Sequence, residues 1–294
     1  MRPLDDLGYA CFRAFALACR LLPPAAVRAA CRGAAIACAD GLRLRRAVVD
    51  RQLAACYPEL PRGDRARLAR DVYRQLALTA AELLRPSGAD RVEAVRIEPG
   101  WEPLDQALAA GRGAIVAAAH LGNFELGGRV LARRHRLLDV VKPLRNRRVD
   151  RWLEGIRRRH GIGTVTVDGA APAVLAHLRA GGLVSLLLDQ DAGAAGVRIP
   201  FLGREASAWP GAARFSLQTG CPVVPMAIIR QPGGGHVLHV GAPLWPGARD
   251  ADDGAVRDYA RAVSAAVEAY IRQAPSQWFW VHRRWKEVER DGRS

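Results

Sequence analysis

Lysine is almost absent from this 294-residue chain, occurring only as Lys142 and Lys286, so the formal net charge of +15 is carried nearly entirely by guanidinium groups. Guanidinium is always charged and forks onto phosphates, anionic lipids and acidic proteins, which names a class of partner but no function. A GC-rich genome that favours arginine codons accounts for the preference for Arg over Lys, though not for 44 basic against 29 acidic residues. Aromatic residues are few, at 6%, while apolar residues make up half of the chain. That suffices for one large α/β domain or two small ones with real cores, and it excludes disorder as the main state.

Other absences narrow the chemistry. The six cysteines, Cys11, Cys19, Cys31, Cys38, Cys56 and Cys221, form no CxxC pair, and five fall in the alanine-rich first 56 residues, where a small thiol packs as a core residue. The expectation is a reducing compartment with neither structural disulfides nor zinc. No apolar run reaches the roughly 18 residues of a membrane-spanning helix, because Arg13, Arg20, Arg28 and Arg32 divide the first forty positions. Asp5 and Asp6 stand where a secretory leader is basic, so no signal peptide is expected. The chain has no GxSxG elbow, Walker loop, GxGxxG turn or HExxH helix, which argues against a serine acyl-enzyme and a nucleotide cradle.

What is present has two textures. The first part is helical: residues 8–22, with Cys11, Phe15, Ala18 and Leu22 on one side and Arg13 and Arg20 on another, then 26–55 with the basic knot Arg43, Arg45 and Arg46, then a helix after Pro61 and Gly63 with Asp64 as N-cap. The first of these either lies in a membrane interface or packs on the main domain. From about residue 100, short apolar runs at 113–119, 138–142, 163–168 and 183–188 alternate with helices at 123–134, 148–160 and 171–180. This βαβ grammar predicts an α/β fold with a mainly parallel central sheet flanked by helices. A long loop, a helix at 210–219, strands near 222–229 and 236–240, and a helix at 254–273 complete it. The boundary is placed between a 1–95 N-terminal helical, membrane-associating segment and a 96–294 α/β domain.

His120 follows the small-residue strand 113–119, at the carboxyl end where open α/β sheets place their ligands. Gly122 lets a backbone or substrate approach. Glu125, in the first turn of the next helix, could reach back to one imidazole nitrogen and leave the other free as a base. Spacing alone is weak support, since His282 and Glu287 share it; the alternative for His120 is a structural histidine at the start of the following helix. Asp189 closes the strand 183–188 and is read as a polar group near the site, positioning an arginine or the acceptor, or else as a loop N-cap.

His120-Leu121-Gly122-Asn123-Phe124-Glu125 resembles the HxxxxE/D motif of the glycerolipid acyltransferase superfamily. More closely, the chain resembles the bacterial late lipid A biosynthesis acyltransferases, the lauroyl and myristoyl transferase family. The resemblance extends through Cys56-Tyr57-Pro58-Glu59-Leu60, Glu82, Asn146 and Asp150 before an arginine-rich helix, Leu188-Asp189-Gln190-Asp191, Pro200-Phe201-Leu202-Gly203-Arg204, Pro222-Val223-Val224-Pro225 and the ending Gln277-Trp278-Phe279-Trp280-Val281-His282-Arg283-Arg284-Trp285-Lys286. Each is weak alone; their order and joint presence carry the likeness.

The resemblance implies a glycerol-3-phosphate acyltransferase-like α/β fold and transfer of a fatty acyl group, from acyl carrier protein or acyl-CoA, to a hydroxyl of a lipid A precursor at the cytoplasmic face of the bacterial inner membrane. Members of that family usually begin with an apolar anchoring helix, whereas Arg13 and Arg20 interrupt residues 8–22 here, so peripheral or monotopic attachment is expected, as a monomer without cofactor or metal. In this frame His120 is the general base, Glu125 stabilises the imidazolium, and Arg157, chosen from Arg157, Arg158 and Arg159, is the oxyanion donor. Asn123, Asn146, Arg159, Asp189 and Arg204 are the substrate-binding candidates, Arg204 for a phosphate. Trp278, Trp280 and Trp285 with Arg283, Arg284 and Lys286 read as a membrane-docking tail. The same box suits another glycolipid or a lysophospholipid as acceptor. A reading of another class, a basic membrane- or nucleic-acid-binding module without catalysis, rests on the net charge and the Trp/Arg tail.

Overall fold

A computed structural model describes residues 3–84, 92–247 and 252–291. The chain opens with helices α1 (Pro3–Leu21), α2 (Pro24–Ile36), α3 (Arg46–Cys56) and α4 (Arg62–Leu84). Pro24 starts α2 because a first-turn proline gives up an N–H that has no helical partner there. The single helical stretch expected over 26–55 is broken: a π-helical turn at Ala37–Gly41 ends α2, and Arg43 and Arg45 take left-handed φ angles of 50° and 56°. Asp40 stabilises the break by drawing in Arg46 and Arg70, each at 2.9 Å. Asp64 is not the N-cap of α4, which begins two residues earlier. It lies in the first turn and pairs with Arg67.

The second part alternates as its pattern predicts. In order come β1 (Arg96–Glu98), α5 (Glu102–Ala109), β2 (Ala114–Ala118), α6 (Phe124–Ala132), β3 (Leu137–Val141), α7 (Arg147–Arg159), β4 (Gly163–Thr166), α8 (Ala171–Arg179) and β5 (Leu183–Leu187). After them stand β6 (Val197–Phe201), β7 (Arg204–Ala208), α9 (Gly211–Thr219), β8 (Val223–Arg230), β9 (His236–Val240), α10 (Asp253–Gln273) and α11 (Lys286–Asp291). Seven strands form one sheet in the order β1-β9-β8-β2-β5-β3-β4. Strands β8, β2, β5, β3 and β4 are parallel, whereas β9 pairs antiparallel with β8 and carries β1 parallel to itself. The expected long loop after β5 holds an antiparallel hairpin, β6 and β7, turned at Leu202 and Gly203 with φ of 50° and 76°. A leucine at that left-handed position and a proline within β6 hide the hairpin from a sequence pattern.

Strand β2 shows why these runs are apolar throughout. Ala114 and Val116 join the core beneath α5 and α6, and Ile115 and Ala117 join the core on the opposite face. Both faces are covered, so no position is left for alternating polar residues. The second core also takes in Val49 and Leu53 of α3 and Val72 of α4.

The C-terminal tryptophans belong to that same core. Trp278, Trp280 and Trp285 are 2%, 0% and 1% exposed, and Arg284 is buried with them. The membrane-docking tail expected from their composition is therefore corrected to a core element. Trp278 packs edge-on against Trp280 at 4.6 Å, and each indole removes about 150–250 Å² of ring from water. Gln52 of α3 fastens the segment, donating to the Trp280 and His282 carbonyls at 2.7 and 2.9 Å and accepting from the Arg284 N–H at 2.9 Å. Among the described residues, no helix is long and apolar enough to cross a membrane.

Candidate active site

Strands β2 and β5 are parallel neighbours with Ala118 opposite Leu187. Two residues further along each chain, that register brings His120 to Asp189. The His120 Nδ1 and the Asp189 Oδ1 are 2.8 Å apart, and Oδ2 accepts from the His120 backbone N–H at 3.0 Å and from the Trp278 indole N–H at 2.7 Å. The neutral ring thus carries its proton on Nδ1, leaving the Nε2 lone pair available, with the Gln190 side chain 3.4 Å away. Phe124 and Phe279 hold the ring at centroid distances of 4.9 and 5.9 Å, yet the His120 side chain keeps 21% of its surface exposed.

The loop beyond His120 turns through Gly122 at φ 59°, where a Cβ would overlap the Ile228 carbonyl. Chain 277–279 pairs with it: Gly122 donates to the Gln277 carbonyl and Phe279 to the His120 carbonyl, both at 3.1 Å. Asn123 then caps α6, its Oδ1 accepting from the Leu126 N–H at 3.1 Å, while its amide donates to Glu82 at 3.0 Å.

The electrostatics follow from burial. Desolvation alone would push the Asp189 pKa up, but the His120 charge and the bonds from His120 and Trp278 hold it below the ordinary carboxylate value. Desolvation pushes His120 down; Asp189, and to a lesser degree the Glu125 charge, outweigh it and leave the imidazole more basic than usual.

Glu125 does not orient the imidazole as its spacing suggests. Its carboxylate turns to α7, where Arg157 donates Nε to Oε2 at 3.3 Å and Nη2 to Oε1, while Nη1 faces Glu154 at 3.4 Å. The guanidinium expected as oxyanion donor is engaged with carboxylates on three of its nitrogens. Asp139 of β3 lies in the same cluster, and burial, with Glu125 nearby, pushes its pKa up to about 7.

The remaining candidates divide. His120, Asn123, Glu125, Arg157 and Asp189 converge around the ends of β2 and β5. Asn146 caps α7, accepting from Arg148 and Val149, and Arg159 bonds the Gly155 carbonyl on the exposed side of that helix. Arg204 stacks on Trp285 at 4.9 Å and faces Glu289 at 3.8 Å, so it braces the C-terminal segment. His282 accepts from the Asp191 N–H at 3.3 Å.

Sequence reasoning missed the role of Glu82. It bonds Arg230 at 2.6 and 2.7 Å, lies 3.3 Å from His236 and holds Asn123, tying α4 to the His120 loop. Burial would raise the Glu82 pKa, but His236 and Arg230 bring it down to about 2. Trp278 was also missed; the signal for it was an indole that must be satisfied wherever it is buried. Among the described residues, no group of three or more His, Cys, Asp or Glu side chains converges as a metal site.

Comparison with known proteins places the chain in a family. A phosphatidylinositol mannoside acyltransferase of Mycobacterium tuberculosis (strain ATCC 25618 / H37Rv) is 26% identical over 195 residues, 65% of this chain and 60% of that protein. The chain therefore spans less than two thirds of that relative's length. The lipid A biosynthesis lauroyltransferase of Escherichia coli (strain K12) is 26% identical over 251 residues, and the palmitoleoyltransferase of the same organism 23% over 252, each covering 83% of this chain and 80% of the relative. The family model described as bacterial lipid A biosynthesis acyltransferase matches residues 5–287, and with that extent of agreement the chain belongs to the bacterial lipid A biosynthesis acyltransferase family.

Proposed function

We propose that this protein is an O-acyltransferase that moves a fatty acyl chain from an acyl thioester, acyl carrier protein in particular, to a hydroxyl of a lipid A precursor. One observation carries the chemistry: an imidazole fixed by a buried carboxylate through Nδ1, with its other nitrogen met only by the Gln190 amide at 3.4 Å and its ring partly open. The acceptor hydroxyl gives its proton to His120 Nε2 as its oxygen attacks the thioester carbonyl. The carbonyl oxygen takes the charge, the C–S bond breaks, and the imidazolium returns the proton to the departing thiolate. General-base help of this kind is worth about 10²–10⁴-fold. Asp189 stabilises the imidazolium directly. Glu125 adds negative charge from a distance and is kept in place by Arg157, so both are positioning residues in this reading.

Attachment to the cytoplasmic face of the inner membrane, peripheral rather than spanning, completes the proposal. Of the ten large apolar side chains exposed among the described residues, six lie between Leu17 and Leu44: Leu17, Leu21, Leu22, Ile36, Leu42 and Leu44. Exposed Arg20, Arg28, Arg32, Arg43 and Arg45 alternate with them. Apolar side chains among guanidinium groups suit an anionic leaflet, where each nearby cation adds about 1 kcal/mol. The non-catalytic polyanion-binding alternative loses its stacking platform, because the tail tryptophans are buried.

The test is to incubate the protein with defined labelled acyl donors, carrier-bound or on coenzyme A, and membrane lipid extract, and to identify by mass spectrometry which lipid gains the acyl mass. Acylation of a lipid A precursor supports the reading; acylation of another glycolipid or a lysophospholipid keeps the chemistry and replaces the acceptor. A folded His120→Ala protein that transfers at the parent rate would overturn the base assignment. Salt-sensitive polyanion binding without any turnover would favour the module.

A further inference from the structure

The carboxylate beside His120 is gripped from its far side. Trp278 is 2% exposed and donates its indole N–H to Asp189 Oδ2 at 2.7 Å, while Oδ1 of that carboxylate meets the imidazole. The indole has little freedom to swing: Phe201, Trp280 and Trp285 surround it at centroid distances of 5.8, 4.6 and 6.3 Å. Its backbone is equally fixed. Residues Leu121 and Trp278 form an antiparallel bridge. The neighbouring Gln277 side chain accepts from the Arg230 N–H at 2.9 Å and donates to the Arg230 carbonyl at 2.8 Å.

We propose that Trp278 is a positioning residue for the acyl-transfer site, its indole N–H fixing the Asp189 carboxylate in the rotamer that directs Oδ1 at His120 Nδ1. Its catalytic consequence rests on the reading of His120 as the base; its effect on the ring itself does not. Packing alone would be served by phenylalanine or leucine. An indole in the core adds an N–H that must find an acceptor, and here the acceptor is the one carboxylate that also holds the imidazole. The far oxygen, already bonded to the His120 N–H, would keep an unfilled lone pair without it.

The direction of the effect follows from that role. Without the indole N–H the Asp189 carboxylate is free to turn away from Nδ1, and a loosened carboxylate holds the imidazolium less well. The His120 titration then moves to lower pH. An indole that only fills the core predicts no such movement once a ring of similar shape takes its place.

The experiment is nitrogen-15 NMR titration of the His120 ring in the full chain and in Trp278→Phe, beside pH profiles of kcat and KM. The expected result is a downward shift of the ring titration by about half a pH unit or more, with the acid limb of kcat following it and KM unchanged. Trp280→Phe serves as the packing control, since its indole donates to the Pro275 carbonyl at 2.7 Å and not to the dyad. It should lower thermal stability without moving the His120 titration. Where phenylalanine prevents folding, β-(3-benzothienyl)alanine at position 278 keeps the bicyclic shape and deletes only the N–H. An unchanged or upward titration in a folded variant, or an equal shift in Trp280→Phe, overturns the proposal. The ring titration needs no turnover, so inactivity of the parent protein would sink the acyltransferase reading while leaving this measurement decisive.

Discussion

Nδ1 of His120 lies 2.8 Å from Asp189, on the neighbouring strand's end, while Glu125, five residues along its own chain, is given to Arg157. Two carboxylates therefore hold different posts, and their amides should differ in effect. In Asp189→Asn the ring loses its charged partner, and kcat is expected to fall about a hundredfold or more with KM little changed. Glu125→Gln should cost less in kcat and more in thermal stability, because it leaves Arg157 half-paired. Steady-state kinetics and thermal melts of both variants check this, and equal kcat losses would count against it.

The pH dependence has a defined sign. Catalysis in this scheme needs the neutral ring, and the folded His120 pKa is raised, so the acid limb of kcat should lie above the ordinary histidine value. The same ion pair contributes stability that is present below the unfolded histidine pKa and is lost as pH rises through the folded one. In Asp189→Asn the limb should move down in pH; an unmoved limb would mean another group sets it.

Asp139 is predicted to be a site of stored instability. Its folded pKa of about 7 exceeds its ordinary value of 3.8, so the native state holds a proton that the unfolded chain releases, and stability falls as pH rises between those values. Asp139→Asn removes that loss. Its melting temperature should match the parent near pH 4 and exceed it at pH 8, by the equivalent of a few kcal/mol at most.

The Glu82–Arg230 pair is buried on both sides, with 13% and 9% of the side chains exposed. Arg230→Met leaves the Glu82 carboxylate only the Asn123 amide and His236, so it should cost up to about 3–5 kcal/mol in chemical denaturation. Because the Glu82 pKa is depressed to about 2, its contribution is present above the ordinary carboxylate value and is lost as pH falls toward 2. The difference between parent and variant should therefore shrink in acid.

At the surface, Leu21→Asp with Leu42→Asp should weaken binding to vesicles containing anionic lipid at least tenfold while leaving the fold intact. Leu144→Asp, an exposed leucine outside the N-terminal helices, serves as control. Equal losses in both, read by flotation, would show that the patch has no special part.

The α/β architecture could be read from residues because strands covered on both faces are apolar at every position, as in 113–119, and because helices between them keep their own period. The location of His120 followed from that strand. Its partner did not, since spacing along the chain favours the carboxylate in the next helical turn, whereas strand register decides which side chains meet. The sequence puts Asp189 near the site, but only the alignment of Ala118 with Leu187 gives it the imidazole. Composition misled at the C-terminus, where Trp and Arg look alike whether they face lipid or line a core. The turns at Arg43 and Arg45 and at Leu202 depend on left-handed φ angles at Arg and Leu, residues that seldom signal them.

Gln52 reaches across 228 residues of sequence to clasp Trp280, and this makes the molecule hard to shorten. Trimming residues 1–56 to ease recombinant production would untie the strand of chain that closes over the imidazole, and would discard Val49 and Leu53 from the interior. Deletions that reach α3 should consequently leave an insoluble remnant, a limit that the contacts of Val49, Gln52 and Leu53 do not set on shorter ones.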